Sequence, residues 1–237
     1  MKKILVRLLL IVVAILVIAL VSGLIWASLS FEAMDEAKEM AGEETDLGIV
    51  FGESDAEKGV IFYQGAKVEP DAYNYLGDQL SAEGYFVVIP QMPLNLAVLS
   101  PSKANAVMEE YPDISEWYIG GHSLGGAMAS SYVADHADAI SGLFLLGSFS
   151  ASDLSEKNVR VLDISGGLDG LSSPDKSAEY DENLPPETTK VVIEKGNHAN
   201  FGDYGPQKGD NVSPLTPEEQ HDIVVNELTE WIPASNE

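Results

Sequence analysis

The chain has 237 residues, 45% of them hydrophobic, and no cysteine. It is long enough for one substantial core, and disulfides, thiolate catalysis and cysteine-ligated metal centres are excluded. Its 38 acidic residues against 13 basic ones give a net charge of −25, which repels phosphate backbones and excludes nucleic acid as a partner.

Lys2, Lys3 and Arg7 open the chain, and Leu8 through Leu29 carries no charge. A helix of about 20 apolar residues spans a bilayer core. The basic residues before the run, with Glu32, Asp35 and Glu36 after it, put the N-terminus in the cytoplasm and the remainder outside. The competing reading is a signal peptide cleaved near Val21-Ser22-Gly23. The length of the run, and Trp26 at its outer edge as an interfacial anchor, favour a retained membrane anchor over residues 1–30. On either reading the rest of the chain is expected to be exported. So acidic a surface repels itself in dilute buffer and is screened in brine, as suits a saline medium. Residues 31–45 are acidic and alanine-rich and read as a stalk without chemistry, leaving 46–237 as one domain.

That domain begins with a strand predicted near Gly48–Phe51 and another over Gly59–Tyr63. The unbroken Val60-Ile61-Phe62-Tyr63 run belongs to a strand buried on both faces. A helix over about Asp71–Ala82 carries Tyr73, Leu76 and Leu80 on one side. A strand at Tyr85–Ile89, an apolar Pro90–Pro101 loop and a helix near Lys103–Glu110 follow. Trp117–Ile119 reads as a strand and Ala127–His136 as a helix, with further strands at Gly142–Leu146, Val159–Ser165 and Val191–Glu194. Thr216-Pro217-Glu218-Glu219 is a capping box opening a last, amphipathic helix. Alternation of strand and helix predicts an α/β fold, a mostly parallel sheet with helices on both faces and ligands beyond the strand C-termini.

One stretch concentrates the chemistry. Gly121-His122-Ser123-Leu124-Gly125 has the G-x-S-x-G spacing of a nucleophile elbow, where strained backbone lifts a serine hydroxyl to the N-terminus of a helix. Serine needs a base and an acid to orient it. Of the four histidines, His122 is expected to point away from Ser123 and to pack, and His136 and His221 fall within helices. His198, after the last strand, is the expected base. Asp169, in the Gly166-Gly167-Leu168-Asp169-Gly170 loop, is the expected acid. Asp163 lies inside a strand, and Asp203 follows the histidine too closely for the order Ser, Asp, His. Two N–H donors must meet the oxyanion: Leu124, and from the turn after the second strand Ala66, with Gly65 as the alternative. Met92, Leu94, Leu96 and Val98 either line an acyl pocket or, the favoured reading, pack their loop onto the sheet. No His-x-x-x-His or clustered carboxylate pattern calls for a metal, and no cofactor motif occurs.

With the elbow, four segments carry a family resemblance: Tyr63-Gln64-Gly65-Ala66-Lys67-Val68, Pro90–Leu96, Ser165–Gly170 and Gly196–Gly205. The chain resembles a serine α/β-hydrolase of the compact, dienelactone-hydrolase-like type, without a cap domain. The resemblance implies the α/β-hydrolase fold with Ser123, Asp169 and His198 as nucleophile, acid and base. It departs in two places. Dienelactone hydrolases use a cysteine nucleophile, so their substrate does not carry over, and Gln64 stands where many relatives have histidine or proline. The expected function is an exported, membrane-tethered serine esterase acting on a small-molecule ester or thioester. The alternatives are acyl transfer or peptide cleavage by the same triad, or a tethered binding module with an idle triad.

Overall fold

The computed structural model describes residues 2–40 and 42–233, which divide into two units, Met1–Ser30 and Phe31–Glu237. The first unit is one helix, α1 (Lys2–Ser28). Its stretch Val6–Trp26 is long and apolar enough to cross a membrane, a property that signal sequences share.

The second unit is built on a sheet of eight strands: β1 (Glu43–Glu44), β2 (Gly48–Phe51), β3 (Lys58–Tyr63), β4 (Phe86–Pro90), β5 (Glu116–His122), β6 (Gly142–Leu146), β7 (Arg160–Gly166) and β8 (Thr189–Ile193). Their order is β1-β2-β4-β3-β5-β6-β7-β8. Pairing is parallel from β4 through β3 to β8, and β2 joins β4 antiparallel. The helices are α2 (Asp35–Glu39), α3 (Asn74–Ala82), α4 (Lys103–Glu110), α5 (Leu124–His136), α6 (Pro174–Ala178) and α7 (Pro217–Trp231). As the unbroken apolar run required, β3 is buried on both faces. Val60 and Phe62 pack with Leu76 and Leu80 of α3 and Val224 and Leu228 of α7. Ile61 and Tyr63 pack on the opposite side with Val107 of α4 and Ala129 and Val133 of α5. Each such side chain contributes about 1.5–3 kcal/mol by leaving water.

The predicted capping box forms. Thr216 Oγ1 accepts from Glu219 N–H at 3.2 Å, and the Glu219 carboxylate accepts from Thr216 N–H at 2.9 Å, satisfying two donors at the start of α7.

Residues 31–45 are not a free stalk. Phe31 N–H donates to the Lys67 carbonyl at 2.6 Å and its carbonyl accepts from Glu69 N–H at 3.0 Å, a parallel bridge beside the turn after β3. Ala33 and Ala37 are buried in the core with Ala72 and Leu76, and Glu43–Glu44 pairs with β2. The packing uses alanine methyls and backbone, neither of which gives a hydrophobic signal in an acidic stretch.

Parallel strands deliver their carboxyl ends to one edge of the sheet. The turns after β3, β5, β6, β7 and β8 therefore converge there, carrying Gly65, Ser123, Gly147, Asp169 and His198.

Candidate active site

Ser123 joins β5 to α5 at φ 53 and ψ −122, a backbone region that costs a residue with a Cβ energy. Its N–H donates to the Leu146 carbonyl at the end of β6 at 3.0 Å, and its carbonyl accepts from the Ser148 hydroxyl at 2.6 Å. The flanking glycines answer to one neighbour. A Cβ on Gly121 or on Gly125 would lie 2.2 or 2.1 Å from the Tyr63 carbonyl oxygen, because the end of β3 passes directly against the elbow. The spacing seen in the sequence thus keeps the Ser123 turn and the turn after β3 in backbone contact. Leu124 is the first residue of α5, so its N–H has no acceptor within the helix and faces the site with the positive end of the helix dipole.

Asp169 is held by its own turn. Its Oδ1 accepts from Leu171 N–H at 2.7 Å and Ser172 N–H at 2.6 Å, and its Oδ2 lies 2.7 Å from His198 Nδ1. A carboxylate bonded this way is an acceptor only, so His198 Nδ1 carries the proton and Nε2 is the free nitrogen. The pair is buried, and His198 is fixed at the start of a short 3-10 turn, Ala199–Phe201. Ser123, Leu124 and His198 line one cavity of about 340 Å³ with Phe149, Leu171 and Gln207. Phe149 stacks on Tyr180 at 4.2 Å, which stiffens that wall.

The structure therefore brings Asp169 to His198, and His198 to the cavity of Ser123 and Leu124. The Gly65 N–H is occupied, donating to the Tyr73 hydroxyl at 2.9 Å, which leaves Ala66 as the next amide of that turn. His122 is packed, as expected, yet its ring lies 4.5 Å from the ring of His198, centre to centre. Its Nδ1 lies within hydrogen-bond reach, 3.0 Å, of the Tyr73 hydroxyl that accepts from Gly65 N–H. Burial, reinforced by repulsion from His198 and His221, pushes the pKa of His122 well below that of a free imidazole, so the ring stays neutral beside His198. Neither this contact nor Tyr73 announces itself in the sequence.

The other candidates lie elsewhere. His136 stacks on Tyr132 at 4.2 Å, and His221 is buried in α7 with its pKa lowered to about 4 by burial. Asp163 is buried in β7. The Asp203 carboxyl is pushed up to about 6 by burial and by Glu218 and Glu36, and it takes no part in the His198 bond. Met92 is buried in the core, whereas Leu94 and Val98 are exposed and none of these lines the Ser123 cavity. Its apolar wall comes from the turns after β6 and β7, which sequence periodicity does not single out. Among the described residues no cluster of histidine and carboxylate side chains is arranged to hold a metal ion.

Residues 59–222 match a family described as the alpha/beta hydrolase family. Similar solved structures include a monoacylglycerol lipase from Paleococcus ferrophilus, with a TM-score of 0.60, 16% identity, and coverage of 78% of this chain and 99% of that one. A CIB-like hydrolase from Thermoplasma acidophilum gives a TM-score of 0.57 at 16% identity, covering 74% of this chain and 87% of that one. A thermophilic esterase from Thermogutta terrifontis gives 0.57 at 13% identity, covering 77% and 91%. Among curated proteins none matches this chain. At these identities the likeness is one of fold.

Proposed function

The chain belongs to the alpha/beta hydrolase family, and from that premise we propose that it is a serine hydrolase cleaving carboxylic esters or thioesters through Ser123, His198 and Asp169. The observation that carries the reading is the strained Ser123 at the head of α5, sharing a cavity with a histidine whose Nδ1 is bonded to Asp169 at 2.7 Å. In the proposed cycle Ser123 Oγ attacks the substrate carbonyl carbon while His198 Nε2 takes its proton. The N–H groups of Leu124 and Ala66 receive the oxyanion. Collapse breaks the bond to the leaving alcohol or thiol, which takes the proton from His198. A water molecule then gives its proton to His198 and attacks the acyl-enzyme, and the same imidazole returns a proton to Ser123 as the acid leaves. Asp169 holds the tautomer and offsets the transient imidazolium charge.

The apolar α1 supports a membrane-tethered, exported enzyme, and the basic residues before it support a cytoplasmic N-terminus. The test uses the full-length chain in detergent with a fluorophosphonate probe and p-nitrophenyl esters of increasing chain length. Labelling and turnover that vanish in Ser123→Ala are expected. A wild-type chain that neither reacts with the probe nor turns over ester overturns the reading in favour of an idle binding module.

A further inference from the structure

The turn Gly209-Asp210-Asn211 sends four hydrogen bonds to the two loops that carry Asp169 and His198, and each bond lands on an immediate neighbour of one of them. Asp210 Oδ1 accepts from Gly170 N–H at 3.0 Å, and Asn211 Nδ2 donates to the Leu168 carbonyl at 2.9 Å, so both sides of Asp169 are held. Asp210 Oδ2 accepts from Ala199 N–H at 2.8 Å, and the Asn211 carbonyl accepts from Asn197 Nδ2 at 2.7 Å, so both sides of His198 are held. The backbone is shaped for this approach. Gly209 has φ +97, and a Cβ on Gly170 would lie 2.4 Å from the Gly209 carbonyl oxygen.

Other contacts hold the preceding neighbours, Leu168 and Asn197, as well. Leu168 N–H reaches the Gly196 carbonyl at 2.8 Å, and Gln220 of α7 holds the Asn197 backbone through both ends of its amide. Asp210 differs in that one side chain bridges the two loops, with an oxygen on the residue after Asp169 and an oxygen on the residue after His198. From this juxtaposition the geometry points to Asp210, assisted by Asn211, as a positioning residue that sets the distance between the acid and the base of the triad. The inference rests on the triad reading above. Its physical basis is that one carboxylate has an oxygen for each loop, and charge-assisted bonds to N–H groups are strong and directional. As protons pass through His198, the 2.7 Å bond to Asp169 must persist, and drift of the two loops lengthens it.

Asp210→Asn is the informative variant, because an amide keeps one acceptor oxygen and turns an NH2 group toward the other N–H. In the full-length chain, kcat on p-nitrophenyl acetate is expected to fall about 10- to 100-fold with KM within about twofold, since misplacement by about 1 Å costs on that order. The loss should disappear in a His198→Ala background, where there is no imidazole left to position, whereas a general loss of structure lowers the residual rate in both backgrounds. Asn211→Ala, which keeps the carbonyl and loses only the bond to Leu168, is expected to cost about 3- to 10-fold and carries the test if Asp210→Asn does not fold. The low-field proton resonance of the His198–Asp169 bond provides a readout without turnover, expected to broaden or vanish in Asp210→Asn. Wild-type kcat in both variants, equal losses in both backgrounds, or an unchanged low-field resonance overturns the inference. An inert wild-type chain with that resonance altered by Asp210→Asn instead sinks the hydrolase reading and leaves the positioning role standing.

Discussion

Replacing Ser123 by glycine should make the protein more stable while abolishing turnover. Ser123 holds φ 53 and ψ −122, and a non-glycine residue kept in such a conformation costs about 1–3 kcal/mol. Glycine relieves that cost but returns about 0.5–1 kcal/mol through the greater freedom of the unfolded chain. At the middle of each range the net gain is about 1 kcal/mol, and for a domain of this size each kcal/mol moves Tm by roughly 2–4 °C. Ser123→Ala is the control, because it removes the hydroxyl and keeps the Cβ that creates the strain. Thermal melts of the wild type, Ser123→Ala and Ser123→Gly in the same detergent should rank the glycine variant highest by about 2–4 °C. If Ser123→Gly melts at or below Ser123→Ala, the elbow stores no strain and the cost assigned to the backbone of Ser123 is wrong.

Asp169→Asn, which puts an amide against His198 Nδ1, is expected to lower kcat about 10⁴-fold with little change in KM; a loss under tenfold in steady-state assays removes Asp169 from the triad. Gly125→Ala places a methyl 2.1 Å from the Tyr63 carbonyl oxygen, so it should part the elbow from the turn after β3. Its kcat should drop by about 10-fold or more, and wild-type kinetics refute the claimed contact. Asp163 is buried in β7 with Oδ1 lacking a hydrogen-bond partner among the described residues. Burial raises its carboxyl from 3.8 to about 6, against the opposing pull of Lys190. The folded state therefore holds this proton more tightly than the unfolded one, and stability is lost as pH rises from about 4 to about 6. Asp163→Asn should be neutral in effect at pH 4 and stabilising by about 1–3 kcal/mol at pH 8, and equal effects at the two pH values contradict the assignment.

The sequence carried well those features whose chemistry is local or shows in residue type. The four-residue cap at Thr216 is decided by neighbours along the chain, while the glycines two places either side of Ser123 and the apolar run at Val60–Tyr63 show in residue type although the groups they meet are remote. The order of the three polar loops followed from strand and helix alternation. What stayed hidden depends on partners remote in sequence. Asp210 and Asn211 sit in a polar Gly-Asp-Asn turn that reads as an ordinary bend, and three of their four bonds go to backbone groups, which leave no imprint on residue type. The Tyr73–His122 link, the Phe149 wall and the docking of Ala33 and Ala37 were invisible for the same reason. Predicted strand ends moved by a few residues where the ladder, rather than side-chain preference, sets the last pair, as at Glu116–His122.

The bridge between Phe31 and the Lys67–Glu69 backbone has a practical consequence for where this chain tolerates being cut. A chain cut after residue 30 keeps this N-terminal clasp. Beginning instead at 46, where composition changes, or at 59, where the family match starts, would strip the clasp from a turn only one residue beyond Ala66. Such a trimmed protein would expose Val68 and Ala72 and lose the bond from Ala33 N–H to Glu69. Whether the turn beside Ala66 keeps its support after such a cut would thus be decided within the ten residues after Ser30.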